Sequence, residues 1–303
     1  MRRKLLIGVI LVVLLMGVAG FFTKGLFTAR VGLCLNSADG LLVDELSLAG
    51  YTVLSCNGQN DQETQNQQIQ ELLKEKVDVL VVQTVDVDAA AQILQIAAGT
   101  PVIFLGEEPK ELGSAYYIGC DVSQRGAVQA QMLESFFGKA DINGDRLVDY
   151  IAIAGPEEVL LSQMYLQSVG EAMAEKSVVQ LQGAYCQNSA EEARKLCRQA
   201  FSKYGRDLEL ILCSSDSIAQ GAVEAVKDSR RVPGRDVIIF AIGTELQLKE
   251  MVRTGYITAA AVEDTNAISA RIIRLIEEVT KGKAAEQKQY INYKIVTIDD
   301  VIF

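Results

Sequence analysis

The 303-residue chain has no histidine and no tryptophan. Without imidazole it lacks the usual general base and the commonest transition-metal ligand. It has no Gly-rich phosphate loop and no nucleophile elbow. Ser162 and Cys186 have no base in view and read as ordinary side chains. The pattern therefore argues against an enzyme. Positive charge is also scarce, with 29 Lys and Arg against 39 Asp and Glu, a net charge of −10. An acidic surface repels phosphate backbones, which argues against nucleic-acid binding. None of the six cysteines (Cys34, Cys56, Cys120, Cys186, Cys197 and Cys213) forms a C-x-x-C pair. Most lie inside apolar patterns and read as buried free thiols. Cys34 and Cys56 are the one pair to test as a disulfide, because their strands are expected to be neighbours.

One long apolar run is present. Met1-Arg-Arg-Lys4 precedes Leu5 to Phe22, which carries no charge. That length approaches a bilayer span, and the basic flank favours a cytoplasmic N-terminus. Gly17-Val18-Ala19 also resembles a cleavage site, so a removed signal peptide competes. The apolar run continues past that site, which favours an uncleaved anchor over residues 1–29. Either reading places the remainder outside the cytoplasmic membrane.

From residue 30 onward, short apolar strands alternate with amphipathic helices. Val31–Leu35, Thr52–Cys56, Val77–Val82 and Pro101–Leu105 read as strands, with helices over Asp39–Ala49, Asp61–Lys74 and Ala89–Ala98 between them. The pattern recurs from Tyr116, with strands at Tyr150–Ala154, Val178–Tyr185, Leu208–Cys213, Val237–Ile242 and Thr258–Val262. Tyr290 to Ile298 reads as one last strand. Near-continuous apolar strands are expected of parallel sheets covered by helices on both faces. The fold class is α/β, with two doubly wound parallel-sheet lobes. Ligands in such folds bind at the carboxyl ends of the strands.

Asp141-Ile-Asn-Gly-Asp-Arg-Leu-Val-Asp149 carries carboxylates or an amide at positions 1, 3, 5 and 9. Alternate side chains of a tight loop can converge on a hard cation, and Leu147 at position 7 would offer its carbonyl. An EF-hand closes such a loop with Glu at position 12, which here is Ala152. A distant residue must complete the set.

Several stretches together carry a resemblance. They are Gly58-Gln-Asn-Asp-Gln62 with Gln65-Asn66 and Gln68-Ile69, Ala115-Tyr-Tyr-Ile-Gly119, Asp141 to Asp145, and Ser215-Asp-Ser-Ile-Ala-Gln-Gly-Ala-Val-Glu-Ala225. In these the chain resembles the type I periplasmic sugar-binding proteins, most closely their galactose/glucose-binding group. The resemblance implies a lobe of residues 30–119 plus 263–287 and a second of 120–262 plus 288–303. It also implies a structural calcium ion in the second lobe, held by Asp141, Asn143, Asp145, Leu147 and Asp149 and closed by Glu209. Arg146 stands where calcium loops use glycine, and Asp149 replaces an amide.

The sugar grips of that group do not carry over. Its aromatic and charged positions fall at or near Gly40, Leu42, Gly106, Val159, Leu161, Tyr165, Cys186, Gly243 and Glu263. Without an aromatic clamp a pyranose loses its stacking surface. The mapping instead offers Asn36, Asp39, Glu107, Glu158, Ser215, Asp216, Thr244 and Glu263. This acid-rich set suits a sugar-like, polyol or cationic ligand, with Asp216 also a candidate helix cap. The expected function is extracytoplasmic solute binding for an ABC permease. The alternative is a membrane-anchored sensory or scaffold module with a vestigial cleft. Repressors share this lobed fold but begin with a basic helix-turn-helix, and this chain does not.

Overall fold

The computed structural model describes residues 29–301 apart from 37–39, 157, 158 and 175. The expected anchor lies almost wholly outside the described residues, and no described helix is long and apolar enough to cross a membrane. The chain forms two compact units. One comprises residues up to Ile118 together with Ser269–Gln289, and the other Gly119–Ile268 with the residues from Tyr290 on.

The first unit contains strands β1 (Arg30–Leu35), β2 (Thr52–Asn57), β3 (Val79–Val82), β4 (Val102–Leu105) and β5 (Tyr116–Cys120). Helices α1 (Gly40–Leu48), α2 (Gln62–Lys74) and α3 (Ala90–Ala97) connect them. The second unit contains α4 (Arg125–Ala140), β6 (Val148–Ala154), α5 (Leu160–Met173), β7 (Val178–Tyr185) and α6 (Ala190–Tyr204). It continues with β8 (Leu210–Cys213), α7 (Asp216–Asp228), β9 (Ile238–Gly243), α8 (Glu245–Arg253) and β10 (Ala259–Glu263). Helix α9 (Thr265–Thr280) then leads to β11 (Lys288–Ile291) and β12 (Tyr293–Thr297).

The sheets repeat one order, β11-β5-β4-β3-β1-β2 and β12-β10-β9-β8-β6-β7. The strand order reverses between β1 and β3 and again between β6 and β8, which is where open α/β sheets leave a crevice at their carboxyl ends. The sequence reading is corrected in the tail. The expected single last strand is two short strands, one on the edge of each sheet. Strand β12 runs antiparallel to β10, so the second sheet is not wholly parallel.

The apolar character of the strands follows from what covers them. In the second sheet Ile151, Ile153, Ile211, Cys213, Ile239, Ala241, Ala260 and Val262 face one buried cluster with α6, α7 and α8. Their neighbours Tyr150, Ala152, Leu210, Leu212, Ile238, Phe240, Ala259 and Ala261 face a second cluster with α4 and α5. Period-two alternation therefore serves two cores at once, and no polar face remains to mark it.

Close helix packing relies on two glycines. A Cβ at Gly221 in α7 would lie 2.2 Å from the Ala190 carbonyl oxygen at the start of α6. One at Gly126 in α4 would lie 2.2 Å from the Ser168 carbonyl in α5. Gly221→Ala is expected to cost roughly 1–3 kcal/mol through overpacking. Gly138→Ala, whose methyl would meet nothing within 4 Å, should gain about 0.5 kcal/mol from helix propensity. Urea denaturation midpoints of the two variants should move in opposite directions.

Candidate functional site

The carboxyl ends of the first sheet are tied together by amides. Gln65 in α2 is fully buried. Its Nε2 donates to the Gln83 carbonyl at 2.8 Å, and its Oε1 accepts from the Val85 N–H at 3.2 Å. Asn36, just beyond β1, donates through Nδ2 to the Thr84 carbonyl at 2.9 Å. Gln62 donates to Gln65 and Asn66 at 3.1 and 3.0 Å and accepts from the Asp86 N–H. The loops after β1 and β3 are therefore held in place by side chains that carry no charge. Glu107, just beyond β4, is exposed. Asp39 lies outside the described residues, as does Glu158 in the second unit.

In the second unit, Ser215 caps α7 and accepts from the Ile218 N–H at 3.4 Å. Its hydroxyl also donates to Asn188 Oδ1 at 3.3 Å. Asp216 accepts from the Thr244 N–H at 2.9 Å and from the Thr244 hydroxyl at 2.6 Å. That approach depends on Gly243, where an added Cβ would sit 1.8 Å from Asp216 Oδ1. Burial pushes the Asp216 carboxyl up, and the Thr244 bonds pull it back. Asp216 and Thr244 thus satisfy each other, a role that spacing alone did not reveal.

Glu263 ends β10 beside a partly buried group. Arg125 Nε donates to the Tyr293 hydroxyl at 3.0 Å. Burial raises the Glu263 carboxyl above its usual range, against the pull of the nearby Arg125 guanidinium. Burial raises the Tyr293 phenol as well, with Arg125 opposing. A desolvated acceptor and a guanidinium donor therefore stand within one small region at a strand's carboxyl end.

The acidic loop lies at the opposite, amino end of the second sheet, just before β6. The sequence set Glu209 within the strand read over Leu208–Cys213; the structure starts that strand at Leu210. Glu209 precedes β8, a central strand, and is only 1 % exposed. Its Oε1 accepts from the N–H groups of Ile142 and Asn143 at 2.8 and 2.9 Å, and its Oε2 from that of Asp149 at 3.1 Å. Asp141, Asn143 and Asp145 turn inward on their own loop. Asp141 accepts from the Gly144 and Arg146 N–H groups, Asn143 from that of Asp145, and Asp145 from that of Leu147. Arg146 adopts a φ of 72°, the conformation a calcium loop gives to glycine.

Oxygen donors of this kind suit a hard cation. Among the described residues no three His, Cys, Asp or Glu groups gather closely enough to hold a metal ion. Glu209, expected to close a cage, is committed to backbone amides. Desolvation raises its carboxyl despite those three bonds.

A profile described as the periplasmic binding protein domain matches residues 39–284. The chain belongs to the periplasmic binding protein domain family. It is 25% identical over 255 residues to the D-galactose/methyl-galactoside binding periplasmic protein MglB of Haemophilus influenzae, covering 79% of this chain and 75% of that one. It is 24% identical over 313 residues to a putative rhizopine-binding protein of Rhizobium meliloti, covering 97% and 96%. An ABC transporter solute binding protein from Bacillus halodurans with bound myo-inositol superposes with a TM-score of 0.71 at 18% identity, covering 90% of this chain and 96% of that one.

Within this periplasmic binding protein domain, sequence reasoning passed over the roles of Gln65, Arg125, Asn188 and Tyr293. Gln65 did leave a signal, since it shares one helical face with Ile69 and Leu72, both buried. For the acidic loop, Glu209→Ala is expected to cost roughly 2–4 kcal/mol, because it removes three charge-assisted bonds at once. Melting temperature should be the same in calcium and in chelator. A calcium-dependent rise of several degrees would show that the loop oxygens re-aim toward a cation.

Proposed function

We propose that this protein is an extracytoplasmic solute-binding protein that captures a small polyhydroxylated solute, not an ordinary hexose, for an ABC import system. The family implies an extracytoplasmic location. The names of its relatives point to galactosides and rhizopine, and one structural neighbour holds myo-inositol. The observation that carries the reading is the group of Glu263, Arg125 and Tyr293 at the carboxyl end of β10. A carboxylate accepts hydroxyl protons and a guanidinium donates to hydroxyl oxygens, so together they grip a ring of hydroxyls. Arg125 also disfavours a cationic ligand, because it brings its own positive charge.

Calorimetry against myo-inositol, other cyclitols, aldoses and polyamines tests the reading. Heat with a polyol and none with polyamines is expected. The absence of heat or thermal shift across the panel would end it. Glu263→Gln is expected to weaken polyol binding about 10–100-fold, the value of a hydrogen bond to a charged group.

The same variant should stabilise the unliganded protein near neutral pH. Burial raises the folded carboxyl of Glu263, so its charged form costs stability above that folded value. The cost grows as pH rises from the unfolded carboxylate value to the folded one; below the unfolded value both states hold the proton, and the advantage of the neutral amide should vanish. Thermal melts of both proteins across pH 4 to pH 8, a window set roughly by ordinary carboxylate values, check the sign.

A further inference from the structure

Strands β1 and β2 pair in parallel with Cys34 directly opposite Cys56. Partners in register project to the same face of a sheet, so the two thiols are lateral neighbours. Neighbouring strands lie about 4.8 Å apart, which falls within the Cα separation that a disulfide spans. Both thiols are free. We propose that Cys34 and Cys56 form a reversible dithiol–disulfide pair that staples the edge of the first sheet.

The two thiols differ in a way that sets the order of events. Cys34 is fully buried and belongs to the apolar cluster of its unit, whereas Cys56 is half-buried on the edge strand. Cys56 is therefore the sulfur that a soluble disulfide reaches first. Its thiol displaces one half of that disulfide, which leaves as a thiol and carries the proton. Cys34 then attacks the Cys56 sulfur and expels the other half as a second thiol. Two protein thiols are oxidised, and one external disulfide is reduced to two thiols. The hydrogen bond from the Cys56 thiol lowers the Cys34 pKa and raises that of Cys56, which slows the first attack and calls for mildly alkaline conditions. The Gln68 amide oxygen also lies 3.9 Å from the Cys34 sulfur.

The remaining thiols lack this geometry. Cys120, Cys186, Cys197 and Cys213 are buried, and burial raises each of them. Lacking exposure, they are out of reach of a soluble disulfide. The pair sits where a covalent link has consequences. Cys34 lies two residues before Asn36, which holds the loop after β3, and Cys56 lies two residues before Gly58. Closing the bridge requires the Cβ atoms to approach from the lateral strand spacing to about 3.8 Å. A bridge made against such resistance is readily reduced, as labile regulatory disulfides are.

The test uses the whole chain incubated with oxidised glutathione at mildly alkaline pH, then denatured, alkylated and weighed. Two of the six thiols should escape alkylation, and a single cross-linked peptide should join Cys34 to Cys56. Dithiothreitol should restore all six. In Cys34→Ser the reaction should stop at a glutathione adduct on Cys56, and in Cys56→Ser no adduct should form. Six alkylated thiols after oxidation would overturn the proposal. So would a bridge to any other cysteine, or a persistent adduct on Cys56 in the unmodified chain.

Discussion

A sheet wrapped by helices on both faces has no face left for chemistry. Both sheets here meet that constraint, and everything the molecule offers to a solute or an ion is displaced to strand ends. The carboxyl ends carry Asn36, Glu107, Ser215, Thr244 and Glu263, each just at or beyond a strand. The amino end of the second sheet carries the acidic loop and Glu209. Strand direction thus sorts the polar residues into two populations that never meet on one edge.

The two populations solve different problems. At the carboxyl ends, buried amides such as Gln65 brace loops without charge, so the acids that remain need not serve as scaffolding. Asp216 is the exception, since Thr244 occupies it. At the amino end, a buried carboxylate meets a turn whose N–H groups point inward. Glu209 supplies the acceptors that those donors require once they leave water. Oxygen-rich spacing is compatible with both cation binding and amide binding.

The alternation of elements was legible because apolar runs of strand length separate helices with clear faces. The start of α7 was legible from residue type, with the cap falling on Ser215 beside the candidate Asp216. Edges were harder. One apolar run from Tyr290 to Ile298 contains nothing that announces its division between two sheets, since both halves have the same pattern. Glu209 was legible as an anomaly within an apolar stretch, but not as the acceptor for three distant N–H groups. Register is a relation between strands, and composition does not contain it. The Arg125–Tyr293 contact joins residues 168 positions apart, beyond the reach of any local pattern.

The divided tail bears on the order in which the molecule can be finished. Strands β11 and β12 each form one edge of a sheet, and among the described strands they come last in chain order. Until they arrive, β5 and β10 each present an open row of peptide groups, a template for pairing with another chain. Neither sheet can cover this border early, so both halves wait for residues 288–297. Such a chain favours delayed folding over folding in stages, and its survival depends on keeping those borders away from other copies in the interval.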